Sequence, residues 1–481
     1  MCLKRRTGRR DGGEVANLEI TGLSHEGAGV GRHRDKAVFV PGGIPGDTVR
    51  ARITEQRKRF SRAELVAVER ASALRVDPRC SVSEYCGGCS LQAMSYEGQL
   101  SWKKRLVEDA LSRIGHLKGA VVRDTMPSPE PWHYRNKVMF PVGRASGRVD
   151  GRAGFRPGSW LVAGCFRKGT HEIVPAESCL IQHPTNNLIL REALKLCEEH
   201  RVEPYDERTG RGVLRYIMAR VAVGTGESMA AFVTALRRFP AAAEIAEGLM
   251  KAVPGLVSVV QNVNPGRTNI VLGTEWKVIR GRECIDDLFG NDETGRLRFR
   301  ISPLSFYQVN PVQAARVYAK ALEYLESGIR DSTALDLYCG IGTITLFLAR
   351  RFSLAVGIEE SPDAVRDARR NARLNEIGNV RFVEGRAEWV AQSVVFGLAS
   401  EGASPAAVVL DPPRAGCSEG VLDAIARTKP ATVAYVSCYP STLARDLAYL
   451  EGLGYRTVEV QPFDMFPQTP HVEAVACIVR A

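Results

Sequence analysis

The stretch Leu335-Asp-Leu-Tyr-Cys-Gly-Ile-Gly-Thr343 decides the fold of the second half of the chain. It has the pattern of a buried strand that ends in a glycine turn, from which a helix begins, and glycine lets the backbone approach a ligand closely. Further apolar strands follow and alternate with amphipathic helices. This alternation predicts a doubly wound, Rossmann-like α/β domain over residues 301–481. The predicted strands are Ala334–Tyr338, Ala355–Glu359, Val380–Glu384, Ala407–Asp411 and Thr432–Ser437.

Two acidic residues stand where a cofactor would bind in such a sheet. Glu359 ends the second predicted strand, sixteen residues after Thr343, and a carboxylate there can accept hydrogen bonds from both ribose hydroxyls. Asp411, in the run Asp411-Pro-Pro-Arg414, ends the fourth strand and should face the same crevice. Because the phosphate-binding G-x-G-x-x-G pattern is missing, S-adenosylmethionine is favoured over a dinucleotide. The alternatives are ordinary strand-to-helix packing at the glycines and a proline-rich strand terminator at Asp411.

Two residues near the same edge of the predicted sheet could carry covalent chemistry. Cys438 directly follows the fifth strand, so its thiol is the candidate nucleophile. Glu473 begins the last apolar strand and is the candidate base, with His471 as an alternative base. Cys339 and Cys417 are competing thiols in less suitable positions. The alternatives are an inert, packed cysteine and a solvated glutamate at the start of a strand.

A second group of cysteines has the spacing of a metal site. Cys80, Cys86 and Cys89 follow the pattern C-x5-C-x2-C, and Cys179 could supply a fourth thiolate. Four thiolates bind zinc or an iron–sulfur cluster. The wide first gap and the distant fourth ligand favour a 4Fe-4S cluster, while zinc stays open. The C-x3-C-x2-C spacing of radical S-adenosylmethionine chemistry is not found here.

The N-terminal part of the chain is basic and rich in short strands. The 481 residues carry a formal charge of +11, with a pI near 9.1, which suggests a polyanionic partner, although solvated basic surfaces are also common. We expect a basic disordered tail over residues 1–14. Residues 15–70 predict a small OB-like β-barrel, because strand residues alternate faces and glycine or proline supplies the turns.

Residues 75–300 mix strands with helices, which predicts a central α+β domain that contains the cysteine loop. A helix is expected over Gln99–Ile114, where apolar residues have helical spacing and a glycine follows. The predicted strands of this domain are Lys137–Val142, Leu214–Val223, Ser258–Asn262 and Asn269–Leu272.

The sequence also bears on location and assembly. No run reaches the roughly 18 apolar residues that a membrane helix needs, and the first residues lack the apolar core of a signal peptide. Twelve cysteines in a chain of this length are too sparse for a disulfide scaffold. We therefore expect a cytoplasmic protein. We also expect it to be a monomer without an obligate protein partner.

These features together resemble the bacterial RNA 5-methyluridine methyltransferase family over nearly the whole chain. Residues 17–68 are similar to its TRAM domain, and Ser305-Phe-Tyr-Gln-Val-Asn310 matches the entry to its catalytic domain. The glycine turn at residues 335–343 and the run at residues 411–414 match as well. The resemblance implies a class I methyltransferase domain in which the cofactor is contacted by Gln308, Tyr338 and Glu359, beside Asp411.

The resemblance also implies a reaction and a substrate. Cys438 would be the nucleophile and Glu473 the base, so that a methyl group is added to carbon 5 of a uridine. Cys80, Cys86, Cys89 and Cys179 fit the iron–sulfur branch of the family, which mostly modifies large-subunit (23S) ribosomal RNA, whereas members that act on transfer RNA lack these cysteines. Two departures are Tyr439, where the family usually has asparagine, and Gly385-Arg386, which replace an acidic or amide contact near the adenine.

Carbon 5 of uracil is too weak a nucleophile to attack a sulfonium, so a thiolate must first add at carbon 6. The base must also leave its stack, and Trp132-His-Tyr-Arg-Asn-Lys137 could offset that cost by stacking on bases and binding phosphates. One alternative is an RNA cytosine-C5 methyltransferase, which normally needs a second cysteine that the run at residues 411–414 lacks. The other is an RNA-binding ribosome-assembly protein with a relic methyltransferase domain, which would not need intact Gln308, Asp411, Cys438 and Glu473.

Overall fold

The computed structural model describes residues 14–145, 158–325 and 332–481. The chain forms two compact units, one made of residues up to Gln99 together with Gln468–Pro470, and one made of Leu100–Pro467 with His471–Ala481. The basic tail expected over residues 1–14 lies outside the described residues except for Glu14. No helix within the described ranges is long and apolar enough to cross a lipid bilayer.

The first unit contains a six-stranded sheet with the order β1-β5-β6-β4-β3-β2. Its strands form because apolar residues alternate with polar ones: Val49, Ala51 and Ile53 are buried, while Arg50 and Thr54, which fall at the alternate positions, are exposed. This small all-β architecture agrees with the sequence-based expectation. The strands are β1 (Val15–Glu19), β2 (Gly22–Leu23), β3 (Ala28–His33), β4 (Lys36–Pro41), β5 (Thr48–Gln56) and β6 (Phe60–Arg70).

The second unit begins within helix α1 (Tyr96–Arg113) and includes a seven-stranded sheet of order β10-β9-β8-β11-β12-β13-β14. Helices α2 and α3 share one apolar core with this sheet. The elements after α1 are β7 (Val121–Val122), β8 (Lys137–Arg144), β9 (Leu161–Phe166), β10 (Ile173–Pro175), α2 (Pro184–Glu199), β11 (Leu214–Val221), β12 (Ser228–Thr234), α3 (Ala242–Ala252), β13 (Leu256–Val263) and β14 (Glu275–Gly281).

One predicted strand of this region is wrong. Residues 269–272 form no strand, and the edge of the sheet is β14 instead. The side chain of Asn264 donates hydrogen bonds to the carbonyl oxygens of Ile270 (2.7 Å) and Val271 (2.8 Å). The Asn262 side chain accepts the N–H of Gly273 at 2.7 Å. These side-chain amides take the backbone groups that a neighbouring strand would otherwise pair, which local apolar content could not indicate.

The catalytic part of the second unit is built on an eight-stranded sheet of order β19-β18-β17-β20-β21-β23-β22-β7. Strands β17 to β21 are parallel, and β23 is antiparallel to both of its neighbours. Its strands and the hairpin before them are β15 (Ile285–Asn291), β16 (Gly295–Ile301), β17 (Thr333–Leu337), β18 (Leu354–Glu359), β19 (Val380–Glu384), β20 (Pro405–Leu410), β21 (Thr432–Ser437), β22 (Tyr455–Phe463) and β23 (Glu473–Arg480).

Helices cover both faces of this sheet. One apolar core joins the sheet to α4, α5 and α6 and also includes Met218 and Val260 of the central sheet. The core on the other face joins α7, α8, α9 and the end of α1. The predicted doubly wound α/β fold is thus confirmed. The helices are α4 (Pro311–Leu325), α5 (Thr343–Ala349), α6 (Pro362–Leu374), α7 (Ala387–Ser400), α8 (Glu419–Thr428) and α9 (Pro440–Gly452).

The strand order reverses between β17 and β20, since the chain runs from β17 through β18 to β19 on one side and resumes at β20 on the other. A crevice therefore opens outside the carboxyl ends of these strands, where parallel α/β sheets bind ligands.

Candidate active site

The structure brings the six predicted catalytic and cofactor residues to one cleft of about 770 Å³ at this edge of the sheet. Four of them follow or end parallel strands, and Glu473 reaches the same edge because β23 runs antiparallel. The remaining residue comes from the segment before α4. The six residues that line the cleft are Gln308, Tyr338, Glu359, Asp411, Cys438 and Glu473.

The glycine turn after β17 is held open toward the cleft. Gly340 has a φ of +55°, and a Cβ at this position would meet no atom within 4 Å. The N–H of Gly340 donates to Glu359 Oε2 at 3.0 Å, and Glu359 Oε1 accepts the N–H of Ser361 at 2.9 Å. The carboxylate that ends β18 therefore fixes the turn while the open side of Gly340 stays free for a ligand.

Two buried groups lie beneath this turn. Asp336 in β17 accepts a hydrogen bond from Thr345 Oγ1 at 2.6 Å, and burial raises its pKa to about 8. Cys339 is buried, and its sulfur lies where a side chain at Gly357 would stand. Burial raises the pKa of the Cys339 thiol well above its ordinary value. Cys339 is therefore packed under the turn and is poorly suited to attack a substrate.

The centre of the cleft is rich in acidic groups. Burial raises the pKa of Cys438 to about 11, and the carboxylates of Glu473 and Asp411 add to the rise. Burial and Asp411 hold the pKa of Glu473 well above its ordinary value, and burial raises that of Asp411 to about 7. Arg414 acts in the opposite direction on Cys438 and Glu473. Such a centre favours a cationic ligand, because a positive charge would stabilise the ionised forms of all three acids.

The segment that carries Gln308 is fixed by buried polar contacts. The Gln308 side chain hydrogen-bonds to the hydroxyl of Tyr318. The backbone carbonyl oxygen of Gln308 accepts a hydrogen bond from Asn136 Nδ2 at 3.2 Å. The hydroxyl of Tyr307 donates to Asp287 Oδ2 at 2.8 Å. Asn310 Nδ2 lies 3.2 Å from Ser128 Oγ and 3.2 Å from the carbonyl oxygen of Met465. These contacts explain why an irregular segment can hold a side chain at a defined position in the cleft.

The sequence did not indicate Asp446, a buried carboxylate in α9. It accepts hydrogen bonds from the Tyr435 hydroxyl (2.6 Å) and the N–H of Cys417 (2.8 Å), and it pairs with Arg445 at 2.7 Å. These contacts tie the loop that follows Asp411 to β21. Cys417 is buried by the same arrangement, so it is less accessible than the half-buried Cys438.

Glu388, at the start of α7, lines the cleft and is another residue that the sequence did not indicate. Its Oε1 accepts the Tyr338 hydroxyl at 3.3 Å, and its Oε2 lies 3.7 Å from Arg386. Arg386 also stacks on the exposed ring of Trp389 at 4.8 Å. Arg386, which departs from the family pattern, is thus a paired cation. His471, the alternative base, lines the cleft but is exposed, whereas Glu473 is buried.

The prediction that residues 132–137 stack on bases and bind phosphates of the RNA is partly wrong. Tyr134 is buried, and its hydroxyl donates to the carbonyl oxygen of Pro467 at 3.1 Å. Asn136 is buried as well, and its side chain supports the Gln308 segment. Tyr134 is therefore unable to stack on a base. Arg135 and Lys137 keep part of their surface exposed.

The cysteines predicted to bind metal lie in two places. Cys80, Cys86 and Cys89 are half-buried in a loop of the first unit, and Cys179 is half-buried before α2 in the second. The N–H of Gly88 donates to Cys86 Sγ at 3.4 Å. Burial and the neighbouring Cys86 raise the pKa of Cys80, while backbone N–H groups of Val82 and Ser83 oppose the rise. Across the described ranges, no three His, Cys, Asp or Glu residues are grouped as a metal site.

Comparison with known proteins covers nearly the whole chain. A family model described as tRNA (Uracil-5-)-methyltransferase matches residues 269–481, and the TRAM domain model matches residues 9–66. An uncharacterized RNA methyltransferase of Halalkalibacterium halodurans is 41% identical over 470 residues, which cover 97% of each chain. Another, of Caldanaerobacter subterraneus, is 43% identical over 469 residues, which cover 97% of this chain and 98% of that one.

Among solved structures, the tRNA (uracil-54, C5)-methyltransferase of Pyrococcus abyssi in complex with S-adenosyl-L-homocysteine superimposes with a TM-score of 0.74 and 26% identity. The match covers 96% of this chain and 100% of that one. The fold is thus that of an S-adenosylmethionine-dependent methyltransferase. The chain belongs to the RNA uracil-5-methyltransferase family, with an N-terminal TRAM domain.

Proposed function

We propose that this enzyme methylates carbon 5 of a uridine in large-subunit ribosomal RNA through a covalent bond between Cys438 and carbon 6 of the base. The observation that carries the proposal is the convergence of Cys438, Glu473 and Asp411 in one cleft beside the glycine turn. A thiol, a carboxylate of raised basicity and a negative site for a sulfonium are the groups that methyl transfer to uracil requires.

The residues of the cleft fit S-adenosylmethionine, which supplies an electrophilic methyl group when it is bound. The open side of Gly340 leaves room for close approach of a ligand. Glu359, at the end of β18, is suited to accept the ribose hydroxyls. Gln308 and Tyr338 line the same cleft, and Asp411 contributes negative charge near Cys438 and Glu473.

In the proposed mechanism, the Cys438 thiolate adds to carbon 6, and the electron pair of the 5,6 double bond moves onto carbon 5 and the carbonyl at carbon 4. Carbon 5 then takes the methyl group, and the methyl–sulfur bond breaks with its electron pair left on the departing sulfide. Glu473 accepts the proton of carbon 5. The double bond re-forms and the bond between Cys438 and carbon 6 breaks, so the thiolate is regenerated.

The raised pKa of Glu473 supports its role as the base. A carboxylate of higher pKa is a stronger base, and burial beside Asp411 gives Glu473 this property. Arg414 favours the charged forms of Glu473 and Cys438 and so partly opposes the rise in both pKa values. The pair is therefore suited to a reaction that needs a thiolate first and a proton acceptor later.

The test uses RNA fragments in which uridine is replaced by 5-fluorouridine, because fluorine is unable to leave carbon 5 as a proton does. Incubation with labelled S-adenosylmethionine should give a labelled protein–RNA adduct that survives a denaturing gel. Cys438→Ala should abolish the adduct, whereas Cys417→Ala, at a buried thiol near the same cleft, should leave its formation intact. An adduct that persists in Cys438→Ala would overturn the covalent assignment.

The same assay decides the RNA class. Fragments of large-subunit ribosomal RNA should form the adduct, and transfer RNA should not. The four cysteines support ribosomal RNA through the family resemblance, whereas the Pyrococcus abyssi protein is described as acting on uracil-54 of tRNA. An adduct with transfer RNA alone would correct the substrate but leave the chemistry in place. Action on ribosomal RNA would agree with the cytoplasmic location expected from the sequence. We also propose that the enzyme acts as a monomer.

We also propose that Cys80, Cys86, Cys89 and Cys179 hold a structural 4Fe-4S cluster. The spacing of the first three supports this, as do the backbone N–H groups that face the sulfurs of Cys80 and Cys86. No step of the methyl transfer needs an electron. Anaerobic reconstitution should yield four iron and four sulfide per chain with a Mössbauer signature of the cluster, lost in Cys86→Ser. Bound zinc, with no iron retained, would refute the cluster.

A further inference from the structure

Three cationic residues lie close together where the central sheet begins at strand β8. Lys137 in β8 and Arg220 in β11 stand directly opposite each other in the antiparallel pairing. Arg135 precedes Lys137, and its Nε donates to the Lys137 carbonyl oxygen at 3.2 Å. Among the described residues, no carboxylate forms an ion pair with any of the three. Like charges directly across two strands destabilise a sheet, and a bound anion would offset that repulsion.

The face of the sheet on which these cations lie follows from the way side chains along β8 point alternately to its two faces. Val138 and Phe140 point into the core that the sheet shares with α2 and α3. Lys137 and Met139 therefore point to the opposite face, and Met139 packs there against the core shared with the catalytic sheet. The cations thus stand on the catalytic side of the central sheet.

The charge of Arg220 is not compensated within the described part of the chain. Its side chain is 1% exposed, and the guanidinium donates to the carbonyl oxygens of Ser302 (3.0 Å) and Ser305 (2.9 Å). Carbonyl groups satisfy hydrogen bonds but carry no net charge. Burial lowers the pKa of Lys137 to about 7, and the positive charges of Arg220 and Arg135 contribute to this. The lack of a carboxylate partner for Arg220 and the repulsion that Arg220 and Arg135 exert on Lys137 indicate a site that favours an anion.

This site adjoins the cleft. Ser302 and Ser305, which Arg220 holds, both line the cleft. Asn136, between Arg135 and Lys137, bonds to Gln308 through its side chain (3.2 Å), and its N–H donates to the carbonyl oxygen of Val309 at 2.8 Å. An anion bound by the three cations would therefore lie beside the segment that carries Gln308.

We propose that Lys137, flanked by Arg135 and Arg220, binds a phosphate group of the RNA strand that carries the target base. The phosphate offsets the repulsion between the three cations and anchors the strand next to the cleft that receives the flipped base. The inference rests on RNA being the substrate and adds a binding site to the proposed function. Lys137 and Arg135 keep part of their surface exposed, whereas Arg220 is buried and already bound to two carbonyl groups. Lys137 stands directly opposite Arg220, so it is the exposed cation that feels the buried charge most directly.

The test is the salt dependence of RNA binding, measured by fluorescence anisotropy with a labelled oligouridylate between roughly 50 and 200 mM salt. For single strands, each phosphate contact contributes about 0.7 to the slope of log Kobs against log salt. Lys137→Gln should reduce the slope by about that amount, and Lys137→Arg should retain it. Lys195→Gln, on α2 at the opposite face of the sheet, is the matched control and should bind like the wild type.

A slope for Lys137→Gln equal to that of the wild type would overturn the phosphate site, and so would a loss of affinity without a change in slope. Because the substitution relieves repulsion, the free Lys137→Gln protein should melt no lower than the wild type. A lower melting temperature together with lost S-adenosylmethionine binding would show a structural role and also refute the proposal. Adduct formation through Cys438 is measured separately, so the phosphate site and the covalent mechanism can each fail without the other.

Discussion

Lys103 and Asp464 form an ion pair in which both side chains are completely buried. Lys103 lies in α1 and also donates to the carbonyl oxygen of Phe466 at 3.2 Å. Asp464 follows β22 and starts the irregular segment that leads through Phe466 and His471 to Glu473. Phe466, His471 and Glu473 all line the cleft. The buried pair thus fixes the segment from which the proposed base enters the active site.

Removal of one partner from this pair should destabilise the fold strongly. Lys103→Ala leaves the Asp464 carboxylate buried without its counter-ion, a change that costs about 3–5 kcal/mol. The double variant Lys103→Met, Asp464→Leu replaces both charges by apolar groups and should recover most of that loss. Urea unfolding followed by tryptophan fluorescence measures both free energies.

The neighbouring residue Lys104 is the control for this experiment. It is partly exposed and pairs at 2.8 Å with Asp124, which is 95% exposed. Lys104→Ala should therefore change the free energy of unfolding far less than Lys103→Ala does, because exposed ion pairs contribute little to stability. Equal losses of unfolding free energy for Lys103→Ala and Lys104→Ala would mean that burial of the Lys103–Asp464 pair has no energetic importance.

The sequence predicted the parallel sheet and the cleft but not the contacts that brace them. Strand period and the glycine turn are local signals, and they located Tyr338, Glu359, Asp411 and Cys438 at one sheet edge. Lys103 and Asp464 are 361 positions apart, so neither looks different from a solvated charge. Tyr134 was expected to meet RNA for the same reason, since its partner Pro467 lies 333 positions away.

The two glycines of the cofactor turn should respond differently to alanine. At Gly340, a Cβ would meet no protein atom, so Gly340→Ala should lower stability only by the about 1–2 kcal/mol that a positive φ costs. The same Cβ would extend into the space proposed for the cofactor, so it should weaken S-adenosylmethionine binding at least tenfold. At Gly342, φ is +82° and a Cβ would lie 3.0 Å from the Phe382 ring and 3.1 Å from Ala368. Gly342→Ala should therefore lower stability further.

Calorimetric titration with S-adenosylmethionine and thermal unfolding of each variant separate the two effects. Wild-type affinity in a folded Gly340→Ala protein would contradict the assignment of the open side of Gly340 to the cofactor. A Gly342→Ala protein as stable as Gly340→Ala would show that the Phe382 ring moves away without cost.

The reactivity of Cys438 should depend on its acidic neighbours. With a pKa of about 11, the thiolate fraction at neutral pH is small and rises about tenfold for each pH unit. Glu473→Gln removes a negative charge that raises this pKa, so alkylation by iodoacetamide at pH 8 should become faster, by roughly threefold to tenfold. Arg414→Gln removes a charge that lowers the pKa and should slow the reaction.

Peptide mass spectrometry reports alkylation at Cys438 separately from the other cysteines. Glu360→Gln is the control, because Glu360 lines the same cleft but pairs with Arg386 at 3.6 Å. Its rate should match that of the wild type. Identical rates in Glu473→Gln and Glu360→Gln would show that Glu473 has no electrostatic effect on the thiol.

The pH dependence of stability should reveal the buried carboxyl group of Asp336. Its folded-state pKa of about 8 exceeds the ordinary value of 3.8, so the native protein holds a proton that the unfolded chain releases. Stability from this group is therefore fully present below about pH 4 and is lost at about 1.4 kcal/mol per pH unit as pH rises toward 8. Asp336→Asn removes this titration and can still accept the Thr345 hydroxyl.

The stability of Asp336→Asn relative to the wild type should therefore rise with pH between 5 and 8, measured by urea unfolding at each pH. Asp411 has a raised pKa of about 7, and its contribution falls in the same direction, but it is present in both proteins and largely cancels in the difference. Thr345→Val removes a hydrogen bond that lowers the pKa of Asp336, so the decline should extend to higher pH in that variant. A pH-independent difference between wild type and Asp336→Asn would mean that Asp336 is ionised in the folded protein.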